Sequence, residues 1–252
     1  MENRLTTKQH WEKSYSKTTY NKPDTNSDIY NWIKKNLPKS KENQTSFEVG
    51  IFPAGFSTIF GDLGYQINGI DRIEDVNLSM KDWLIDNKYE VGDLICDDFF
   101  DYNYKRKYDV VSSFGFIEHF KDYKSVIKKQ ASLVSNEGYI VLEVPNFRGY
   151  IQFYLKKMFD KKNLDIHYVP SMNFKEWEKV LKEEGFKIIK KDYIGKFTLD
   201  FYPQKRNFIQ KYFVNFLTRR KYFIKKHLFK GTSKHFSPYM IMVAKKNDDF
   251  SK

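Results

Sequence analysis

Three apolar runs in this chain each stop at residues able to hold a nucleotide-like ligand. Residues 46–52 (SFEVGIF) read as a buried strand that turns at Pro53-Ala54-Gly55, with Glu48 and Gly50 near its end and Phe52 and Pro53 in the loop. A glycine there lets the backbone approach a ligand, and Pro53 with Gly55 sets a tight turn into a helix. About twenty residues on, YQINGID closes on Asp71, an acid placed to accept hydrogen bonds from both hydroxyls of a ribose. VGDLIC then runs into Asp97-Asp98-Phe99, where a carboxylate, a backbone N–H and a ring suit the amino edge and face of adenine. Each feature alone is an ordinary strand end. Their joint order and spacing is not easily explained by chance.

Two histidines are candidates for acid–base work. His119 stands in IEHF, after the run YDVVSSFGF, and His167 in LDIHYV. Imidazole is the side chain best suited to take a proton from a hydroxyl near neutral pH. The structural alternatives are that His119 caps or packs its helix and that His167 is a loop residue. Two histidines so separated make no recognisable zinc motif, and the single cysteine, Cys96, excludes both a disulfide scaffold and a multi-cysteine metal site. No metal is expected.

The elements that must position these residues alternate along the chain. Helical patterns over 77–87, 122–135 and 174–186 (FKEWEKVLKEEGF, ended at Gly185) separate the strand-like runs, and GYIVLEVPN, FKIIKKDYI and SPYMIMVAKK supply the later strands. Such alternation predicts an α/β fold, a doubly wound sheet with helices on both faces and ligands beyond the carboxyl ends of its strands. One domain over 1–252 is expected, with an N-terminal helical lid (1–40), a cap (146–173) and a basic aromatic insertion (204–235).

Hydrophobic content of 40%, with 18% aromatics, allows a sizeable core and argues against disorder. There is no run of about 18 apolar residues to span a membrane and no apolar leader at the start, so a cytoplasmic location is expected. The net charge of +12 is concentrated between Gln204 and His235, which hold ten Lys and Arg, Arg219 and Arg220 among them, and no acid. Seven aromatics interleave them. Three readings stay open: a helix whose aromatic face is core, a wall of an acceptor site for a phosphorylated substrate, or contact with RNA or an anionic membrane surface.

The first motif resembles that of class I S-adenosylmethionine-dependent methyltransferases, in a branch reading E-[IV]-G-x-F-P-G followed by G-Y-x-[IV]-x-G-I-D. Ile51 and Phe52 fill loop positions where the commoner version has glycine. VVSSFGFIEHFKD resembles the fourth-strand motif, GYIVLEVPNFRGY the fifth, and NLDIHYVPSM a later cluster of that branch; the likeness covers roughly residues 45–195. It implies a seven-stranded sheet, mostly parallel, with SPYMIMVAKK inserted antiparallel. It implies S-adenosyl-L-methionine as cofactor and S-adenosyl-L-homocysteine as product. Glu48 and Gly50 would run along the methionine part, beside the loop of Phe52 and Pro53. Asp71 would hold the ribose, and Asp98 with Phe99 the adenine. Phe114 and Gly115 would pass the sulfonium, and Asn146 would touch the acceptor. An NAD-dependent oxidoreductase shares the glycine turn and the acid, but the DDF and IEHF motifs favour methyl transfer. The expected reaction is O-methylation of a small anionic intermediate, such as a nucleotide- or phosphate-linked sugar of a bacterial surface polysaccharide or capsule. The alternative is an RNA methyltransferase that uses 204–235 to bind phosphates.

Overall fold

Strands that are apolar on successive residues must be covered on both faces, and this chain meets that demand with a three-layer arrangement. The computed structural model describes residues 4–199, 201 and 205–248. Residues 1–3 of the expected lid and Gln204 at the head of the basic segment lie outside the described residues. In chain order come α1 (Lys8–Tyr15), α2 (Asp28–Asn36), β1 (Thr45–Val49), α3 (Ser57–Asp62), β2 (Gln66–Asp71), α4 (Ser79–Asp86), β3 (Val91–Cys96) and β4 (Tyr108–Phe114). There follow α5 (Tyr123–Ser132), β5 (Val134–Pro145), α6 (Tyr150–Phe159), α7 (Lys161–Asp165), α8 (Phe174–Glu183), β6 (Phe186–Ile194), α9 (Phe208–His227) and β7 (Tyr239–Lys246).

The seven strands pair in the order β3-β2-β1-β4-β5-β7-β6, and β7 runs antiparallel to both of its neighbours while the other pairings are parallel. Consecutive residues point to opposite layers. On β4, Val111 joins the core under α5 and α8, and Val110 the core under α2 and α3. On β7, Met240, Met242 and Ala244 face the first core, and Ile241 and Val243 the second.

The helices follow their sequence pattern. Helix α8 is capped by the Asn173 side chain, which accepts from the Lys175 amide, and it buries Phe174, Trp177, Val180 and Leu181 on one stripe. Trp177 is wholly buried, and its Nε1–H donates to the Ser171 carbonyl at 2.6 Å. Replacing it with alanine would cost about 3–5 kcal/mol. Helix α5 is capped by Asp122 and buries Tyr123, Val126, Ile127, Gln130 and Ala131, at spacings of three and four.

Three expected boundaries move. The first strand stops at Val49 because Gly50 adopts φ +78°, and the fourth stops at Phe114 because Gly115 adopts φ +61°. The fifth strand starts four residues early, at Val134, with an irregular register beside Tyr108.

The basic segment forms the expected helix, and of its three open readings the one that puts its aromatic face in the core does not hold. In α9, Phe208 is 84% and Tyr222 82% exposed, and Ile209, Tyr212, Phe213, Phe216 and Phe223 are exposed as well. Among the described side chains of α9, only a narrow stripe (Gln210, Val214, Leu217 and Ile224) is partly covered, because α9 stands off the sheet and its main helical neighbour is α6. No helix among the described residues is long and apolar enough to cross a membrane.

Candidate cofactor and acceptor site

The chain steps outward from β1 through β2 to β3, then returns to the other side of β1 as β4, so the crevice where strand order reverses lies above β1 and β4. A cleft of about 700 Å³, counted to its open mouth, sits there. Its walls bring together Gly50, Asp71, Asp98, Phe99, Phe114, Gly115 and His119 from the expected set, all at carboxyl ends of strands. Arg4, Trp11 and Tyr15 from the N-terminal segment line it as well.

Gly50 makes room that no other residue could leave. A Cβ there would lie 2.9 Å from the Phe116 ring, and its positive φ strains any L side chain. Its N–H donates to the Ile70 carbonyl at 2.9 Å, locking the turn to the neighbouring strand. Asp71 closes the opposite wall. Its two oxygens accept the Phe52 and Ile73 amides, each at 3.1 Å, which fixes the carboxylate at the edge of the cleft. Burial pushes its carboxyl up to about 6, against the opposing pull of the Phe52, Ile73 and Arg72 amides and the Arg72 charge.

Asp98 is more heavily engaged than its sequence position suggests. Arg4 donates to both its oxygens, at 2.7 and 2.8 Å, the Phe100 amide donates at 3.0 Å, and Arg72 lies at 3.5 Å. Burial raises its pKa, but the hydrogen bonds and charge of Arg4 outweigh that and hold it below the ordinary carboxylate value. The Arg4 guanidinium also lies over the Phe100 and Phe120 rings, 5.5 and 5.3 Å from their centroids. Above it, Trp11 stacks on Tyr15 and meets His119 edge-on, with centroids 5.6 and 4.9 Å apart.

Several expected residues stand off the cleft lining. Glu48 is buried beneath it and accepts a hydrogen bond from the Ser57 hydroxyl, while burial pushes its carboxyl up to about 8. Phe52 packs on Tyr15 and Tyr20, and Pro53 lies outside the wall. The expectation that Asn146 touches an acceptor is corrected. Its amide donates to the Lys234 and Ser237 carbonyls and accepts from the Gly149 amide, so both N–H groups are spent bracing the exit of β5. Arg219 and Arg220 sit on α9, away from the cleft wall.

His119 and His167 do meet, with ring centroids 4.7 Å apart. The Nδ1 of His119 lies 2.8 Å from the Ile166 carbonyl and that of His167 lies 2.6 Å from the Asn163 carbonyl. A carbonyl only accepts, so each Nδ1 is placed to donate there, and the His119 ring also meets the Gly115 carbonyl. Burial, aided by each other's proximity or by nearby cations, pushes their pKa values down to about 3 and about 4, so both are neutral at physiological pH.

Arg4, Trp11, Arg72 and Glu118 were missed as functional candidates. No local signal announces Arg4 or Trp11, whose partners lie far along the chain. Glu118, by contrast, sits beside His119 in the same motif and shows its character only through complete burial.

A methyltransferase-domain family model matches residues 24–191. No curated protein sequence matches the chain. Among solved structures, a protein of Bacillus halodurans C-125 aligns with a TM-score of 0.59 at 14% identity, over 87% of this chain and 99% of its own. Magnesium protoporphyrin IX methyltransferase from Synechocystis PCC 6803, with S-adenosylhomocysteine bound, aligns at 0.53 and 18% identity, over 87% and 80%. Phosphoethanolamine N-methyltransferase 2 from Haemonchus contortus, in complex with S-adenosyl-L-methionine, aligns at 0.57 and 15%, over 94% and 56%. At these identities the solved structures bear on the fold, while the family match spans most of the chain: this protein belongs to the methyltransferase-domain family.

Proposed function

We propose that the cleft binds S-adenosyl-L-methionine and that the enzyme O-methylates a small anionic acceptor, such as a nucleotide- or phosphate-linked sugar of a bacterial surface polysaccharide. The observation that carries this reading is the convergence of Gly50, Asp71, Asp98-Phe99 and Phe114-Gly115 on one cleft at the strand ends. The residues fit the cofactor. Gly50 turns the backbone tightly at the cleft wall, where a Cβ would strike the Phe116 ring, and Asp71 presents a carboxylate to the cleft. Phe99 gives a buried ring beside the Asp97 and Asp98 carboxylates. When bound, the cofactor supplies an electrophilic methyl group, so the protein has mainly to align an acceptor with it. Trp11, Tyr15 and Arg4 line the cleft from the N-terminal segment. His119, on the cleft wall, and His167, whose ring packs against it, are the candidates to take an acceptor proton.

Enclosure of the cleft favours a small molecule, as do relatives whose names specify porphyrin and phosphoethanolamine substrates. A second reading, an RNA methyltransferase, rests on α9, where exposed aromatics alternate with cations. A methyl-transfer assay over a panel of nucleotide sugars, run beside filter binding of total RNA at two salt concentrations, separates the two. Turnover with a sugar, and RNA affinity no tighter than the nonspecific range of about 10⁻⁴–10⁻⁶ M, is expected. Submicromolar RNA affinity at physiological salt, with no sugar methylated, would overturn the small-molecule assignment.

A further inference from the structure

Glu118 is the most exceptional polar group in the protein. It is wholly buried, and neither carboxylate oxygen has a hydrogen-bond partner. A buried acceptor left unsatisfied costs about 1–3 kcal/mol even when neutral, and far more when charged. A second buried acid, Glu143 on β5, faces it electrostatically and leaves its own Oε1 without a partner. What lies around Glu118 is a pair of ligand atoms. The Nε2 atoms of His119 and His167 stand 3.8 and 4.0 Å from its Oε1, and the three donor atoms fall within 4.8 Å of one another. These separations are too long for hydrogen bonds.

The surroundings have the form of a ligand shell. Each histidine is held through Nδ1–H to a backbone carbonyl, the partner that fixes the tautomer and ring direction of metal-bound imidazoles. The two segments that carry the donors are tied together, since the Tyr168 amide donates to the Glu118 carbonyl at 2.6 Å. His119 also lines the cleft, so the cluster opens toward the acceptor.

We propose that Glu118, His119 and His167 form a binding site for one divalent first-row transition ion at the inner wall of the cleft. Two imidazoles and one carboxylate suit zinc, iron, manganese or cobalt better than magnesium or calcium, which favour all-oxygen sites. Bonds of about 2.0–2.2 Å require donors roughly 3–3.5 Å apart, so the three side chains close on the ion by less than about 1.5 Å. Three protein ligands leave a position open. In the part of the inference that rests on the methyltransferase reading, an acceptor oxygen takes that position and its hydroxyl proton is made more acidic.

The test uses the full chain without an affinity tag, dialysed against chelator and titrated with Co²⁺ and Zn²⁺. Calorimetry should show one site per chain, Co²⁺ should develop visible d–d bands, and Zn²⁺ should raise the melting temperature. Glu118→Gln and His167→Gln should each weaken Co²⁺ binding at least about 10-fold, the least that loss of a supporting partner costs a metal site. S-adenosylhomocysteine affinity is measured on the same preparations. Wild-type protein that shows neither stoichiometric binding nor Co²⁺ bands overturns the metal site, whatever the variants do. So do folded variants that bind Co²⁺ as wild type does. Metal binding without any S-adenosylhomocysteine binding would instead sink the methyltransferase reading and leave the metal site standing.

Discussion

The cleft and helix α9 are built from the same residue types and use them in opposite ways. In the cleft, Arg4 is clamped by Asp98 and lies over two rings, and Trp11 and Tyr15 are stacked into the roof. On α9, Arg220 lies over the Phe216 ring at 5.7 Å, but both belong to an exposed surface, with Phe208 and Tyr222 more than four-fifths open. The difference is the acids. Asp71, Asp97 and Asp98 line the cleft, whereas α9 contains no acid at all. Cations and aromatics with carboxylates beside them close into a site. Without carboxylates they stay on the surface, available to an anionic partner.

The largest effect that would sharpen this contrast is expected at Gly50. Gly50→Val forces a side chain into a left-handed backbone and against Phe116, at a cost of about 1–3 kcal/mol. Thermal melting should detect that loss, and S-adenosylhomocysteine affinity should fall at least about tenfold, because Gly50 and the Phe116 ring it would displace both line the cleft. Wild-type-like binding by this variant would show that the turn after β1 does not cradle the ligand.

The next effect depends on pH and runs in two directions. Burial pushes the Asp71 carboxyl up to about 6, above its ordinary value of 3.8. The ionised form is the one that accepts ribose hydroxyls, so S-adenosylhomocysteine affinity should fall by up to about tenfold per pH unit below 6. Stability moves the opposite way. A raised folded-state pKa contributes stability that is fully present below 3.8 and is lost as pH rises through about 6. Asp71→Asn, compared with wild type at each pH, should flatten both trends. A parallel fall in wild type and variant would assign the titration to another group.

The smallest effect is expected on α9. Phe208→Ser and Tyr222→Ser should each change stability by no more than about 0.5 kcal/mol, the usual range for surface positions, as read by urea denaturation. Losses of about 3 kcal/mol or more would mean that these rings are buried after all.

Much of the fold is legible in the sequence because it rests on local signals. The runs SFEVGIF and YQINGID are apolar enough to be buried strands, VGDLIC shows itself as a strand, and FKEWEKVLKEEGF carries its stripe in plain spacing. Asp71 and Gly50 are legible for the same reason: a strand end fixes where its last residues point. Asn146 is not, since whether an amide reaches a ligand or braces a loop depends on the carbonyls of Lys234 and Ser237, which no local pattern brings near. Asp98 hides its Arg4 partner in the same way. The aromatics of α9 mislead for a further reason. Their helical spacing is what a buried stripe would show, and only the lack of an opposing surface leaves them exposed. The His119–His167 meeting depends on how the segment after β5 folds back over the cleft, which periodicity does not encode.

The central claim, that the cleft beyond β1 and β2 is the cofactor site, is tested most directly by calorimetric titration of S-adenosylhomocysteine into wild type and Asp71→Asn at pH 7.5 (a condition set above the Asp71 titration near 6). Asparagine keeps an acceptor for one backbone amide but loses the charge and one acceptor oxygen, and charge-assisted hydrogen bonds contribute about 1.5–3 kcal/mol. The account predicts saturable one-to-one binding by wild type and binding at least about tenfold weaker by the variant, with an unchanged circular dichroism spectrum. Equal affinity in the two folded proteins would contradict it.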